Sequence, residues 1–304
     1  VSETTETEDA YAAIAESARL VGAPCSPEKV LPVLTAYQDA LPDAGVVLSV
    51  STGEHPPAEL DYTIAIPVQG GDPHAVALAH GLVEKTDHPV AGLLGDIRAH
   101  VPVSEYFVDG GTQSGFSKIY AHFPFHLQSV SQLAKLPSIP PALAENADLF
   151  ARHHLNEVAM IGIDYQRRTV NLYFAELPGE FGESHNVLSL QRAIGLSEPE
   201  GRMLEFARRS FRVYVTLGWD SARIERICYA LAPTRDWDPS ALPVRIEPEV
   251  EKFVRNSRRR YDGEPIVIAA VKWTREERYM NLGPYTALSP LMRTLLKKLT
   301  GQQV

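Results

Sequence analysis

A chain of 304 residues, 44% hydrophobic and 22% charged, can bury a large core and has the composition of an ordinary soluble globular protein. Its formal charge of -9, with no Lys/Arg-rich arm, excludes a nucleic-acid backbone as partner but leaves room for a small anion in a local basic pocket. Cys25 and Cys228 form neither a disulfide framework nor a metal motif, and no apolar run reaches membrane-spanning length, so a reducing cytoplasm is expected.

Residues 1–8 are acidic and polar and read as a frayed tail. Amphipathic helices follow over 9–21 and 27–41, with Gly22 closing the first, Ser26-Pro27 opening the second, and Pro32 arguing against a straight run. A hairpin over 46–51 and 59–67 turns near Gly53, and its return strand sets Asp61, Thr63 and Ala65 against Leu60, Tyr62, Ile64 and Ile66. The scheme recurs. Helices over 73–82 and 89–99 precede a hairpin over 101–108 and 115–124, with Lys118, Tyr120 and His122 opposite Ile119, Ala121 and Phe123. Helices over 130–136 and 141–153 precede strands over 157–164 and 167–177. The second of these strands places Arg167, Thr169, Asn171, Tyr173 and Ala175 on one face, and Val170, Leu172 and Phe174 on the other.

Helices over 187–194 and 198–209, the latter with Ser197 and Glu200 as a capping box, lead to strands over 211–217 and 222–231. There Arg212, Tyr214 and Thr216 alternate against Phe211, Val213 and Val215. A Pro-rich stretch over 233–248, a helix over 249–258, strands over 265–273 and 278–285, and a final helix opened by Ser289-Pro290 and ended by Gly301 complete the chain.

Turn centres near Gly53, Gly111, Gln166, Asp220 and Thr274 recur at intervals of roughly 55 residues, an internal ααββ repeat. Five hairpins in series have an edge problem that ring closure removes. Apolar faces then meet outer helices and polar faces line a wet interior. The expected fold is α+β: one domain, 1–304, forming a closed ten-stranded antiparallel β-barrel of five ααββ repeats with helices outside.

The inward set combines Lys118, Arg167, Arg212 and Arg226 with Asp61, Thr63, Asn171, Ser49, Tyr120, Tyr173 and Tyr214. Solvated strand charges would be the ordinary explanation, but several cations facing one interior repel each other and lose solvation unless a polyanion joins them. A diphosphate suits Arg forks, a Lys point charge and neutral hydroxyl and amide donors. Phenol faces can stabilise a cation held above them. Basic groups for a leaving diphosphate beside aromatic groups for a carbocation describe prenyl transfer. His122, His126, His153 and His154 lack ligand spacing and read as structural or surface residues.

At these residues the chain resembles the soluble bacterial aromatic prenyltransferases of the ABBA, or PT-barrel, fold, typified by naphterpin- and aminocoumarin-pathway enzymes. ELDYTIAIP (59–67), GFSKIYAHFP (115–124), IPPALAENADLFAR (139–152), DYQRRTVNLYFAEL (164–177), RSFRVYVTLGWDSARIERICYA (209–230) and YMNLGPY (279–285) carry the resemblance across nearly the whole chain. It implies transfer of a dimethylallyl or geranyl group from its diphosphate to an aromatic carbon of a small acceptor in secondary metabolism, by a cytoplasmic monomer without organic cofactor. The implied diphosphate contacts are Lys118, Arg167, Asn171, Tyr214 and Arg226, with Ser49 and Thr63 nearby. Asp61 matches the acid that holds Mg²⁺ in metal-dependent members. Tyr120, Tyr173 and Tyr214 match the carbocation shield, and Met160, Phe211, Arg212, Ala230, Gly283, Tyr285 and Leu295 match the acceptor side.

Two departures stand out. Asn281 replaces a lysine on the diphosphate, which leaves the metal requirement open. Arg212 replaces a serine, and is read as the partner of an acidic group on the acceptor, as in a phenazine carboxylate or dihydroxynaphthalene. A non-catalytic barrel binding an aromatic metabolite is the alternative; it needs no convergent cations. An all-α isoprenoid synthase would need a DDxxD-type motif, which this chain lacks.

Overall fold

In the computed structural model, which describes residues 3–52 and 58–300, the period-two segments become strands. They are β1 (Val46–Thr52), β2 (Asp61–Pro67), β3 (Glu105–Gly111), β4 (Gly115–His122), β5 (Gln128–Ser129), β6 (Glu157–Asp164), β7 (Thr169–Ala175), β8 (Arg212–Gly218), β9 (Ile224–Ala230), β10 (Val267–Trp273) and β11 (Arg278–Ala287). All pair antiparallel. The ring runs β1 to β4, then β6 to β11, and β11 returns to β1, so these ten strands have no open edge. Two-residue β5 lies against the start of β6 and has no counterpart in the sequence reading.

Closure follows from which face each strand can bury. On the outer face Leu48, Val50, Tyr62, Ile64, Val108, Ile119, Ile161, Val170, Leu172, Val215, Ile227 and Trp273 are at most 1% exposed. They join one core with helical residues such as Val30, Leu34, Leu93, Ile97, Phe150, Leu190 and Phe253. Each such side chain contributes about 1.5–3 kcal/mol when removed from water. Covering elements include helices Glu3–Leu20, Pro27–Ala36, Val90–His100, Ser184–Ala193, Gly201–Arg208 and Pro248–Asn256. No described helix is long and apolar enough to cross a membrane.

Several boundaries differ from the sequence reading, for local reasons. The first helix begins at Glu3 rather than residue 9, so an acidic, polar stretch is helical instead of a frayed tail. The second ends at Ala36, four residues beyond Pro32, and a 3₁₀ segment, Gln38–Asp43, replaces its last turn. One helix expected over 141–153 is two short ones, Ala142–Glu145 and Ala147–Arg152, divided at Asn146. The Ser197–Glu200 capping box does not form. The helix starts at Gly201 without a side-chain cap, and Ser197 Oγ instead accepts a hydrogen bond from Trp273 Nε1 at 3.3 Å. A true capping box sits at Ser129 and Gln132. Ser289 does cap the last helix, accepting from Met292 N at 3.2 Å. The turn read near Gly53 and the stop at Gly301 lie outside the described residues.

Candidate active site inside the barrel

Cross-strand register decides which inward side chains meet. One row runs Thr63, Asp109, Lys118, Asp164 on β2, β3, β4 and β6. A second runs Phe107, Tyr120, Gly162, Asn171, Thr216, Arg226 across β3, β4, β6, β7, β8 and β9. A third runs Glu105, His122, Met160, Tyr173, Tyr214, Cys228, Lys272, Tyr279, ending on β11. The period-two rule puts all of them on the face opposite the apolar core.

Polar groups concentrate toward one end. Lys118 Nζ lies 3.9 Å from Asp109 Oδ2 and 3.8 Å from Asp164 Oδ2. Asp109 also accepts hydrogen bonds from Thr63 Oγ1 and, at 2.6 Å, from Tyr120 Oη. Thr216 Oγ1 donates to Asn171 Oδ1 at 2.7 Å. The Arg226 guanidinium carbon lies 5.7 Å from the Tyr214 ring centroid; proximity to that phenol, above all, moves its pKa up, and its Nε has no partner. Burial pushes the Asp61 carboxyl up to about 6, Lys272 being the largest opposing influence. Ser49 stands opposite Asp61 in register, and Asn281 Nδ2 is buried without a partner.

The tyrosines form a continuous wall. Tyr120 meets Tyr173 edge-on at 6.0 Å between centroids, and Tyr173 meets Tyr214 at 4.5 Å. Burial, the largest cause in each case, raises all three phenol pKa values, so they stay neutral at physiological pH. Gly162 makes room for this wall: a Cβ there would stand 2.6 Å from Tyr120 Cε1 and 2.7 Å from its Cδ1.

Toward the other end the interior turns apolar, with Ala65, Phe107, Ile266, Leu288, Met292 and Leu296 packed beside Met160, Tyr173 and Tyr285. Within this apolar end lies a small polar set. Arg212 is lowered from its ordinary pKa by burial, and its guanidinium carbon lies 5.1 Å from the centroid of the Phe211 ring. Glu105 is raised to about 7 by burial, and His122 is lowered to about 3 by burial and then by Arg212. Glu105 Oε2, His122 Nδ1 and Arg212 Nε have no hydrogen-bond partner.

Most sequence-read site residues therefore share one interior: Lys118, Asn171, Arg226, Tyr120, Tyr173, Tyr214, Asp61, Thr63, Ser49, Asn281, Met160, Arg212, Ala230, Gly283 and Tyr285 lie on inward positions. Arg167 differs. It is exposed in the turn between β6 and β7, with its backbone N–H on Asp164 Oδ1 at 2.8 Å, and does not stand in the wall. Leu295 is half-buried on helix Pro290–Thr300 but outside the interior cluster, which takes its neighbours Met292 and Leu296. Of the histidines read as structural or surface, His122 is an interior residue, only 6% exposed and influenced by Arg212. The sequence reading missed Asp109, Asp164, Lys272 and Glu105, which the register places on the inward faces of β3, β6 and β10.

No group of three or more His, Cys, Asp or Glu side chains among the described residues could hold a metal ion. A Mg²⁺ bound to a phosphate ester needs only one or two carboxylates, since phosphate oxygens and water complete its shell. Among the described residues the Asp61 side chain has no hydrogen bond or ion pair, and it feels Lys272 and Lys118 most strongly among the cations.

The profile of a family described as Aromatic prenyltransferase Orf2 matches residues 5–287. The 5,10-dihydrophenazine-1-carboxylate 9-dimethylallyltransferase of Streptomyces anulatus is 41% identical over 259 residues, 84% of this chain and 86% of that one. The flaviolin linalyltransferase of Streptomyces virginiae is 40% identical over 281 residues, 92% of each chain. A furaquinocin biosynthesis prenyltransferase from Streptomyces sp. (strain KO-3988) is 41% identical over 271 residues, covering 88% and 87%.

Proposed function

The chain belongs to the Orf2 family of aromatic prenyltransferases, and from that premise we propose that it moves a dimethylallyl or geranyl group from its diphosphate to a carbon of a small, acidic aromatic acceptor. The observation that carries this reading is the shared interior of Lys118, Arg226 and the Tyr120–Tyr173–Tyr214 wall.

Lys118 and Arg226 face the leaving diphosphate, with Asn171, Tyr214, Ser49, Thr63 and Asn281 as neutral donors, while Arg167 stays exposed at the rim outside this set. Positive charge fixed where the leaving group becomes more negative lowers the barrier to breaking the allylic C1–O bond. If Mg²⁺ binds, Asp61 would hold it, and the ion would add positive charge beside the same oxygens. The tyrosine faces stabilise the allylic cation, and because the phenols are un-ionised they do not compete as strong nucleophiles. Exclusion of water prevents quenching to the prenyl alcohol.

The acceptor lies against Phe107, Met160 and Tyr285, its acidic group paired with Arg212, whose buried charge has no carboxylate partner among the described residues. Held within reach of C1, its electron-rich carbon attacks, and loss of the ring proton restores aromaticity. The name of one relative, a dihydrophenazine-carboxylate dimethylallyltransferase, supports an acidic acceptor.

The test incubates the protein with dimethylallyl or geranyl diphosphate and a panel of phenols, naphthoates and phenazine carboxylates, with and without EDTA. Products heavier than an acceptor by one prenyl group are expected. Release of prenyl alcohol or phosphate alone, across the panel, would reject the reading.

A further inference from the structure

Lys118 and Arg226 do not account for all the positive charge at the phosphate end. Lys272, near the end of β10, pairs in register with Cys228 on one side and Tyr279 on the other, in the row that holds Tyr214 and Tyr173. Its side chain points inward between the others. It is the strongest positive influence on Asp61, and its own pKa is lowered by burial above all and further by Arg226 and Lys118. Its ammonium lies 5.7 Å from the Tyr279 ring centroid. No ion pair to Lys272 exists among the described residues, whereas Lys118 has two carboxylates within 3.9 Å.

A buried ammonium repelled by two other cations and lacking a paired carboxylate among the described residues is costly. Tyr279, the largest opposing influence, offsets only part of that cost, since the ammonium pKa is still held down by burial. A polyanion bridging all three cations removes the remainder. A second feature points to the same place. Asn281, on the inward face of β11 beside Tyr279, presents a buried Nδ2 with no partner, and it stands opposite Ala270, two residues before Lys272 on β10.

We infer that Lys272 is the third cation of the diphosphate site, contacting the phosphate oxygens directly from β10, with the unpartnered Asn281 amide beside it on β11 as a neutral donor. This rests on the proposed function, because the anion in question is the prenyl donor's diphosphate. Lys272 then acts on the leaving group as Lys118 and Arg226 do, and its contribution strengthens as negative charge accumulates on the bridging oxygen.

Calorimetric titration separates this inference from the reading it rests on, because it needs no acceptor and no turnover. The probes are inorganic diphosphate, the inert donor analogue geranyl S-thiolodiphosphate, and geraniol as a ligand without phosphate. Lys272→Met is expected to weaken both phosphate-bearing probes about 10- to 100-fold, the usual effect of losing a charged hydrogen bond, while leaving geraniol unchanged. Placing the charge back from the neighbouring strand, in the double variant Lys272→Met with Asn281→Lys, is expected to recover most of the loss. Lys272→Gln, which keeps a polar head, serves if the methionine variant does not fold. Wild-type protein that fails to bind either phosphate probe would overturn the donor site as a whole. Wild-type binding with equal binding by the Lys272 variant would overturn the role of Lys272 alone. Equal losses for geraniol and diphosphate would also overturn it, by showing a disturbed barrel rather than a lost charge.

Discussion

Replacing Glu105 with glutamine should make the protein's stability respond differently to pH. Glu105 is 5% exposed at the apolar end of the barrel, and burial lifts its carboxyl from an ordinary 4.5 to about 7, against the opposing pull of Ser289. His122 stands opposite in register, and Tyr285 lies close enough to feel its charge. Because the folded state holds this proton more tightly than the unfolded chain, wild-type stability from this group is greatest below about pH 4.5 and declines as pH rises toward 7. Above 7 the full cost is present, and at 1.36 kcal/mol per pH unit it amounts to about 3 kcal/mol. Glutamine cannot ionise, so Glu105→Gln should gain about 3 kcal/mol relative to wild type between roughly pH 4 and pH 8. Urea unfolding of both proteins across that range measures the difference directly. A difference that stays flat, or that shrinks with rising pH, would refute the assignment of Glu105 as a buried, poorly compensated carboxyl.

Other perturbations have equally definite outcomes. Lys118→Ala or Arg226→Ala should lower kcat by a factor of about 10² to 10³, as loss of a transition-state charge partner does, in a steady-state prenyl-transfer assay. Gly162→Ala should displace the Tyr120 ring, which a new Cβ would approach to 2.6 Å, lowering stability by about 1–3 kcal/mol in urea titrations and diverting cation to prenyl alcohol. Arg212→Ala should weaken carboxylated acceptors about 10- to 100-fold while sparing neutral phenols, read as the ratio of kcat/KM values. Equal losses for both acceptor classes would remove Arg212 as an anchor.

The architecture is legible because strands such as β2, β4, β7 and β8 separate their two faces cleanly. In VNLYFA of β7, the apolar set Val170, Leu172 and Phe174 fits a helical layer, while Asn171 and Tyr173 do not, so the inner and outer surfaces can be told apart by chemistry. Five such hairpins at one spacing leave ring closure as the way to remove edges. The site is legible to the extent that its polar residues lie on strands with that contrast.

Where contrast fails, so does the reading. In VIAAVKW of β10 the inward set is Ile268, Ala270 and Lys272, and two small or apolar residues hide the inward face that the lysine shares. Glu105 opens β3 after a stretch without alternation, and nothing local distinguishes it from a solvated strand end. Arg167 fails in the opposite sense. Alternation extended back from Thr169 would carry it into the wall, but Arg168 adopts φ 54°, the chain turns there, and Arg167 is left at the rim. Periodicity identifies a strand's faces but not the residue at which the strand gives way to its turn.

The central claim is that the barrel interior holds a prenyl diphosphate with its phosphates on the cations and its chain along the tyrosines. A crystal structure with geranyl S-thiolodiphosphate tests it most directly. The expected result places phosphate oxygens within about 3 Å of Lys118 and Arg226, and the allylic carbon beside Tyr120, Tyr173 and Tyr214. A diphosphate bound on the outer surface, or a prenyl chain lying away from that aromatic wall, would contradict it.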